Sequence, residues 1–344
     1  MDGGRAGQGV GAGWAGWAGW AGGVGGVGGA RREDVGREPA PASALRDGPD
    51  ATVVHVQRGP RGIPLASAQD LQRRARSGQV VRVRRGTYVD AEAWRELDDG
   101  ARHVVQVRAV RAAAVVPPVF SHWSAAALLG LPVVGRRDPW VHVVRDPAGG
   151  GRSNGDVVRH AVAGRPDVTT VDGIAVTTAA RTVVDLTRVA GLAVGVVAGD
   201  AAVRRGLTSV DELRVQTALA GRGRGVRAAR WMVELVDGRS ESPGESLSRA
   251  RMAELGLPAP LLQHEVRDRQ GLVGRVDFWW PEHGVVGEFD GRVKYGSDAA
   301  DGLWQEKLRE DRLRAAGLAV ARWTWSDAWA GDPMAARLRR AGIR

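Results

Sequence analysis

The residues of this chain best suited to chemistry lie in one stretch of twenty-one, Arg275-Val-Asp-Phe-Trp-Trp-Pro-Glu-His-Gly-Val-Val-Gly-Glu-Phe-Asp-Gly-Arg-Val-Lys-Tyr295. Two apolar runs flank Pro281-Glu282-His283-Gly284, a turn signal that predicts a hairpin. Closing it sets Trp280 opposite Val285, Trp279 opposite Val286 and Asp277 opposite Glu288. Asp290 follows Glu288 by two residues and shares its face. Three carboxylates then converge where a strand pair should bury apolar side chains. Opposed like charges destabilise a sheet unless something compensates. A divalent ion such as Mg²⁺ would do so, with Asp277 and Glu288 as ligands and water retained for chemistry. On this reasoning neutralising Glu288 should leave the fold intact or slightly more stable.

Only two of the 49 basic residues are lysine, Lys294 and Lys307. A lysine four residues after Asp290 therefore reads as a demand for a compact ammonium, although chance placement gives the same pattern. Glu245 has two readings. Ser242-Pro-Gly-Glu245 is a capping box with proline at the first helical position. A carboxylate on a first helix could also join the metal site.

The pattern Asp277-x(10)-Glu288-x-Asp290-Gly291 resembles the PD-(D/E)XK nuclease superfamily, and in particular its very short patch repair branch. The resemblance implies an α/β restriction-endonuclease-like domain over residues 241–344, with an acid ending one strand and a second acid on the next. It implies catalytic roles for Asp277 and Glu288, with Glu245 at the matching first-helix place. The third motif residue of the superfamily is lysine, and here that position is Asp290. Asp290 would then complete the metal shell or position water, and Lys294 would serve the developing phosphate charge. The segments Glu306-Lys-x-Arg-Glu-Asp-Arg-Leu313 and Ala321-Arg-Trp-Thr-Trp325 carry the likeness further.

Upstream, Ser67-Ala-Gln-Asp70 predicts a helix start, and Gln79–Val89 alternates as a basic hairpin. Arg73, Arg74, Arg82, Arg84 and Arg85 are candidate phosphate contacts, with a solvated arginine face as the alternative. A short helix followed by a basic hairpin predicts a winged helix-turn-helix-like unit over 51–97, although Pro60 and Pro64 interrupt its first helix. This unit is similar to the N-terminal domain of AbiEi-type antitoxins, and residues 98–236, expected as an α+β region, are loosely similar to the same proteins. The phrases carrying that second likeness are Ser121-His-Trp-Ser-Ala-Ala-Ala127 and Thr177-Thr-Ala-Ala-Arg-Thr-Val-Val-Asp-Leu186. Ser121 beside His122 invites a nucleophile reading, but without a matched acid the pair reads as a helix cap and its neighbour.

The whole chain has 344 residues and a net charge of +10, which favours a polyanionic partner, DNA first. It has no cysteine, which excludes disulfides and thiolate metal sites. Its seven histidines show no pair at metal-binding spacing. Residues 1–50 read as a disordered Gly/Trp/Ala-rich tail, too glycine-rich for a membrane span. Residues 237–241 read as a linker. The expectation is a cytoplasmic DNA-binding protein without membrane association and with Mg²⁺-dependent phosphodiester hydrolysis. The alternative is an AbiEi-like regulator that binds a cognate toxin and keeps an inactive nuclease fold. A blander option is an interaction module whose acids are surface charges.

Overall fold

The computed structural model describes residues 54–56, 67–145, 155–161, 167–291 and 299–344. The tail at 1–50, Pro60, Pro64 and Lys294 lie outside the described residues. The chain divides into two compact units, with the boundary between Leu247 and Ser248. That boundary falls inside a helix.

The first unit opens with β1 (Val54–Val56), α1 (Ala68–Arg76), β2 (Val80–Arg84) and β3 (Thr87–Asp90), whose strands order β1-β3-β2. The Ser67 hydroxyl caps α1 by accepting from the Asp70 N–H at 3.4 Å. Leu71, Val80 and Tyr88 pack beneath it. The β2–β3 hairpin carries a register shift between Arg82 and Arg84, so the two arginines do not stay in simple alternation.

Helices α2 (Ala91–Glu96), α3 (Asp99–Ala113) and α4 (His122–Leu128) follow. Next come the parallel pair β4 (Val141–Val144) and β5 (Val157–His160), then the antiparallel pair β6 (Val168–Val171) and β7 (Ile174–Thr177). Phe120, fully buried, bridges β4 at Val143 and β7 at Val176 and so joins the two pairs. Four helices complete this unit: α5 (Ala179–Ala190), α6 (Leu192–Arg204), α7 (Val210–Leu219) and α8 (Val226–Leu235). Ser209 and Glu212 form a reciprocal capping box at α7. The predicted linker is tied down: the Asp237 N–H donates to Asp200 Oδ1 at 2.8 Å, and the Arg204 guanidinium donates to the Ser240 carbonyl.

Helix α9 (Pro243–Glu254) leads into the second unit, with β8 (Leu261–Asp268), β9 (Gly271–Trp280), β10 (Val285–Asp290), α10 (Ala299–Ala315), β11 (Ala319–Thr324), α11 (Trp325–Ala330) and α12 (Asp332–Ala341). The sheet order is β11-β10-β9-β8, with β10–β11 parallel and the other pairs antiparallel. Helix α10 is the crossover that a parallel pair requires. Pro281–His283 form one 3₁₀ turn, ended by Gly284 at φ +60°. The predicted register holds, with Trp280 opposite Val285 and Trp279 opposite Val286. Phe278, Trp280 and Trp323 fill one face. Gly287 must be glycine there, because an added Cβ would sit 2.7 Å from Trp323 and 2.9 Å from Trp280. No described helix is long and apolar enough to cross a membrane.

Candidate functional site

Ladder pairing between β9 and β10 ends at Gly287 and Phe278, one step before Asp277 and Glu288. The Asp277 carboxylate takes over there. Its Oδ2 accepts the Phe289 N–H at 2.9 Å, and its Oδ1 accepts from Gln263 at 3.4 Å. The side chain thus replaces a backbone acceptor and lets the two strands part. A cavity of about 280 Å³ opens at the divergence, lined by Arg275, Asp277, Glu288, Phe289, Asp290, Arg309 and Arg322.

All three predicted carboxylates therefore meet one cavity, but the compensation differs from the one expected. Glu288 is buried between two guanidinium groups, Arg309 at 2.5 Å and Arg322 at 2.9 Å. Arg322 stands directly opposite Glu288 in the parallel register and also reaches Glu310 at 3.3 Å. Arg309 arrives from α10 across Gly274, where an added Cβ would lie 2.7 Å from its Nε, and it also donates to the Arg275 carbonyl at 2.9 Å. The expectation that the acids merely repel one another without an ion is overturned by these pairings. Among the described residues, Asp277, Glu288 and Asp290 do not bring three ligand atoms within 4.8 Å of one another.

Glu245 follows its capping reading. Its two carboxylate oxygens accept from the Glu241 N–H at 2.9 Å and the Ser242 hydroxyl at 2.7 Å, while its own N–H donates to Ser242 Oγ at 3.2 Å. Of the basic candidates, Arg82 and Arg85 are exposed, and Arg74 is half-buried. Arg73 is exposed but pairs with Asp70 on its own helix. Arg84 is ion-paired with Asp156 at 3.1 Å. That pairing turns it toward the body of its own unit.

Sequence spacing missed a second cluster entirely. His122 begins α4, His142 lies on β4 and His160 ends β5; one ring nitrogen of each lies within 4.8 Å of those of the other two. The stitching at Phe120 brings them together, because the Ser121 N–H donates to the His142 carbonyl at 3.0 Å. His142 Nδ1 and His160 Nε2 are 2.8 Å apart, and the His122 and His160 rings stack at 3.7 Å. Ser121 holds the N-cap position of α4 but makes no capping bond with its side chain, which bonds instead to His122 Nδ1 at 3.0 Å. His122 adopts φ +49°, a conformation costly for a side chain with a Cβ.

Burial is the main reason all three imidazoles titrate low. His122 lies well below its ordinary value, His142 falls to about 4 and His160 is lowered as well. All are neutral near pH 7. Beside His122 and His160 lies a cavity of about 190 Å³, lined also by Arg181, Asp185, Arg188 and Arg224. Asp185, buried, pairs with Arg181 at 2.8 Å. The histidines come from elements up to thirty-eight positions apart (His122 to His160), so no local spacing could announce them.

No family model matches the chain. Two uncharacterized proteins of Mycobacterium tuberculosis are each 35% identical to it over 125 residues, which is 36% of this chain and 44% of each relative. The match thus spans less than half the length of those relatives.

Proposed function

We propose that the chain is a nucleic-acid-binding protein whose C-terminal unit is a nuclease-type domain that hydrolyses phosphodiesters with Mg²⁺. The observation that carries this reading is the single cavity shared by Asp277, Glu288, Asp290 and three arginines. Acids to hold a metal and guanidiniums to hold phosphate oxygens are the two requirements of that reaction.

The donor set fits the ion, since every acidic group on the cavity offers carboxylate oxygen, the ligand type Mg²⁺ takes. Asp277 and Glu288 would hold it, and Mg²⁺ bound there would act as Lewis acid and lower the pKa of a water. Arg309 and Arg322 fix the Glu288 carboxylate and bring guanidinium charge to the cavity where a phosphate would bind. Asp290, exposed at the rim, can accept a proton from an attacking water. In the first unit, α1 and the β2–β3 hairpin would act as the winged-helix-like part, with exposed Arg73, Arg82 and Arg85 toward the backbone of DNA.

A second reading has its own support. Glu288 already has two cationic partners, so the acid cluster holds together as a binding surface without catalysis. That favours a regulator of AbiEi-like type, with a toxin as partner and an inactive nuclease fold. A plasmid-nicking assay with and without Mg²⁺, on wild type and Asp277→Asn, decides between them. Metal-dependent nicking by wild type alone supports the enzyme. Retained DNA binding with no cleavage under any divalent ion sinks the enzyme and leaves the regulator.

A further inference from the structure

We infer that His122, His142 and His160 form a binding site for a first-row transition-metal ion, Zn²⁺ foremost, whose open coordination position faces the arginine-lined cavity and takes a phosphate-type anion. This site lies in the first unit, and it does not depend on the carboxylates of the second.

The donor set selects the metal class. Three imidazole nitrogens with no thiolate suit Zn²⁺, Cu²⁺, Ni²⁺ or Co²⁺ and suit Mg²⁺ poorly. Three histidines with a fourth position left open are the pattern of a reactive or ligand-binding zinc site, whereas a purely structural one is closed by four protein ligands.

The geometry is close to what an ion needs. Tetrahedral bonds of about 2.0–2.1 Å put neighbouring ligand nitrogens about 3.3 Å apart. His142 Nδ1 and His160 Nε2 now stand 2.8 Å apart, so insertion requires them to open by about half an ångström. His122 must tilt out of its stack on His160 to aim its Nε2 at the same point.

The outer groups are those that orient metal-bound histidines. Such a histidine donates its other N–H to an oxygen acceptor, which fixes the tautomer. His122 Nδ1 has the Ser121 hydroxyl at 3.0 Å. His142 Nε2 points at Asp138 Oδ2, 3.5 Å away, close enough for charge attraction; among the described residues this buried nitrogen has no shorter polar contact. A metal on Nδ1 would oblige Nε2 to carry the proton and point it toward that carboxylate. The strained φ of His122 is a further mark of a position held for its side chain.

The charge count then points to the ligand. A divalent ion on three neutral imidazoles keeps its full charge, and among the described residues Arg181, Arg188 and Arg224 line the adjoining cavity with Asp185 as the sole acid. Asp185 is already paired with Arg181 and lies 4.0 Å from Arg188. An anion with several oxygens, bound to the metal and to the guanidinium groups, would balance the remainder.

The test uses the untagged full chain, stripped with a chelator and titrated with Zn²⁺ by calorimetry, then loaded with Co²⁺ for visible absorption. The expected result is one ion per chain. Affinity should fall at least tenfold in His142→Gln and in His160→Gln, and about 10–100-fold in Asp138→Asn. The titration is run in excess Mg²⁺, which carboxylates take and three imidazoles bind poorly, so that the Asp277 and Glu288 cavity does not add to the Zn²⁺ count. Inorganic phosphate should shift the Co²⁺ spectrum of wild type, and Arg224→Gln should keep the metal but lose most of that shift. Circular dichroism checks that each variant is folded, and Asp138→Asn leaves all three ligands in place should a histidine variant unfold. Failure of the wild type to bind Zn²⁺, or binding that ignores the histidine and Asp138 substitutions, overturns the site. A metal site whose spectrum is indifferent to phosphate overturns the anion pocket.

Discussion

Replacing Glu288 by glutamine tests the electrostatic logic of the C-terminal cavity most directly. The substitution keeps volume and removes one charge from between two guanidiniums. The Glu288 side chain retains 12% of its accessible surface, Arg309 22% and Arg322 32%, so these pairs are shielded but not dry. Hydrogen bonds to charged groups contribute about 1.5–3 kcal/mol each, and partial exposure of the partners puts these near the lower end. The glutamine oxygen can still accept from one arginine, but its NH₂ then faces the other, donor against donor. The opposing gain is relief of repulsion from Asp277 and the exposed Asp290, worth under about 1 kcal/mol. Loss wins, and Glu288→Gln should destabilise the C-terminal unit by about 2–4 kcal/mol. Denaturant unfolding followed by tryptophan fluorescence reads this out, since Trp279, Trp280, Trp323 and Trp325 all lie in that unit. High salt should shrink the difference. An unchanged or raised midpoint would mean that acid repulsion dominates and that Arg309 and Arg322 do not compensate Glu288.

Other outcomes follow from the same contacts. Gly287→Ala should cost about 1–3 kcal/mol, because its Cβ would press on two buried tryptophans; a neutral result in thermal unfolding would show that the Trp280–Trp323 layer yields easily. Arg82 and Arg85, but not the Asp156-bound Arg84, should carry phosphate contacts, so neutralising both should flatten the log-affinity against log-salt slope for duplex DNA by up to about 1.8, and Arg84→Gln should leave it unchanged. Burial, with a smaller push from Arg137, lowers His103 to about 3, and its Nε2 lies 3.0 Å from Ser124 Oγ. Its unfolded value near 6.5 is higher, so its contribution is full above pH 6.5 and is lost as pH falls toward 3. His103→Gln should therefore reduce the slope of stability against pH in that window by up to about 1.4 kcal/mol per pH unit, and parallel curves for variant and wild type would refute it.

Features governed by local rules were legible along the chain. The turn chemistry of Pro281–Gly284 and the period-two alternation around it set the β9–β10 register before any packing is considered. Ser67 and Ser242 announced their helix starts, because a cap bonds within three or four residues of itself. The carboxylates of Asp277, Glu288 and Asp290 share one cavity for the same reason. Long-range packing set what those carboxylates meet. Arg322 faces Glu288 through a parallel pairing across a helical crossover, and Arg309 reaches it over a glycine on another strand. An arginine on the otherwise apolar Leu318–Val320 face of β11 was the available hint. Likewise Arg84 looked like a phosphate contact until Asp156 claimed it. The three histidines looked scattered until Phe120 joined two strand pairs and brought them together. Backbone hydrogen bonds between distant strands set these meetings, and a spacing rule that counts along the chain carries no information about them.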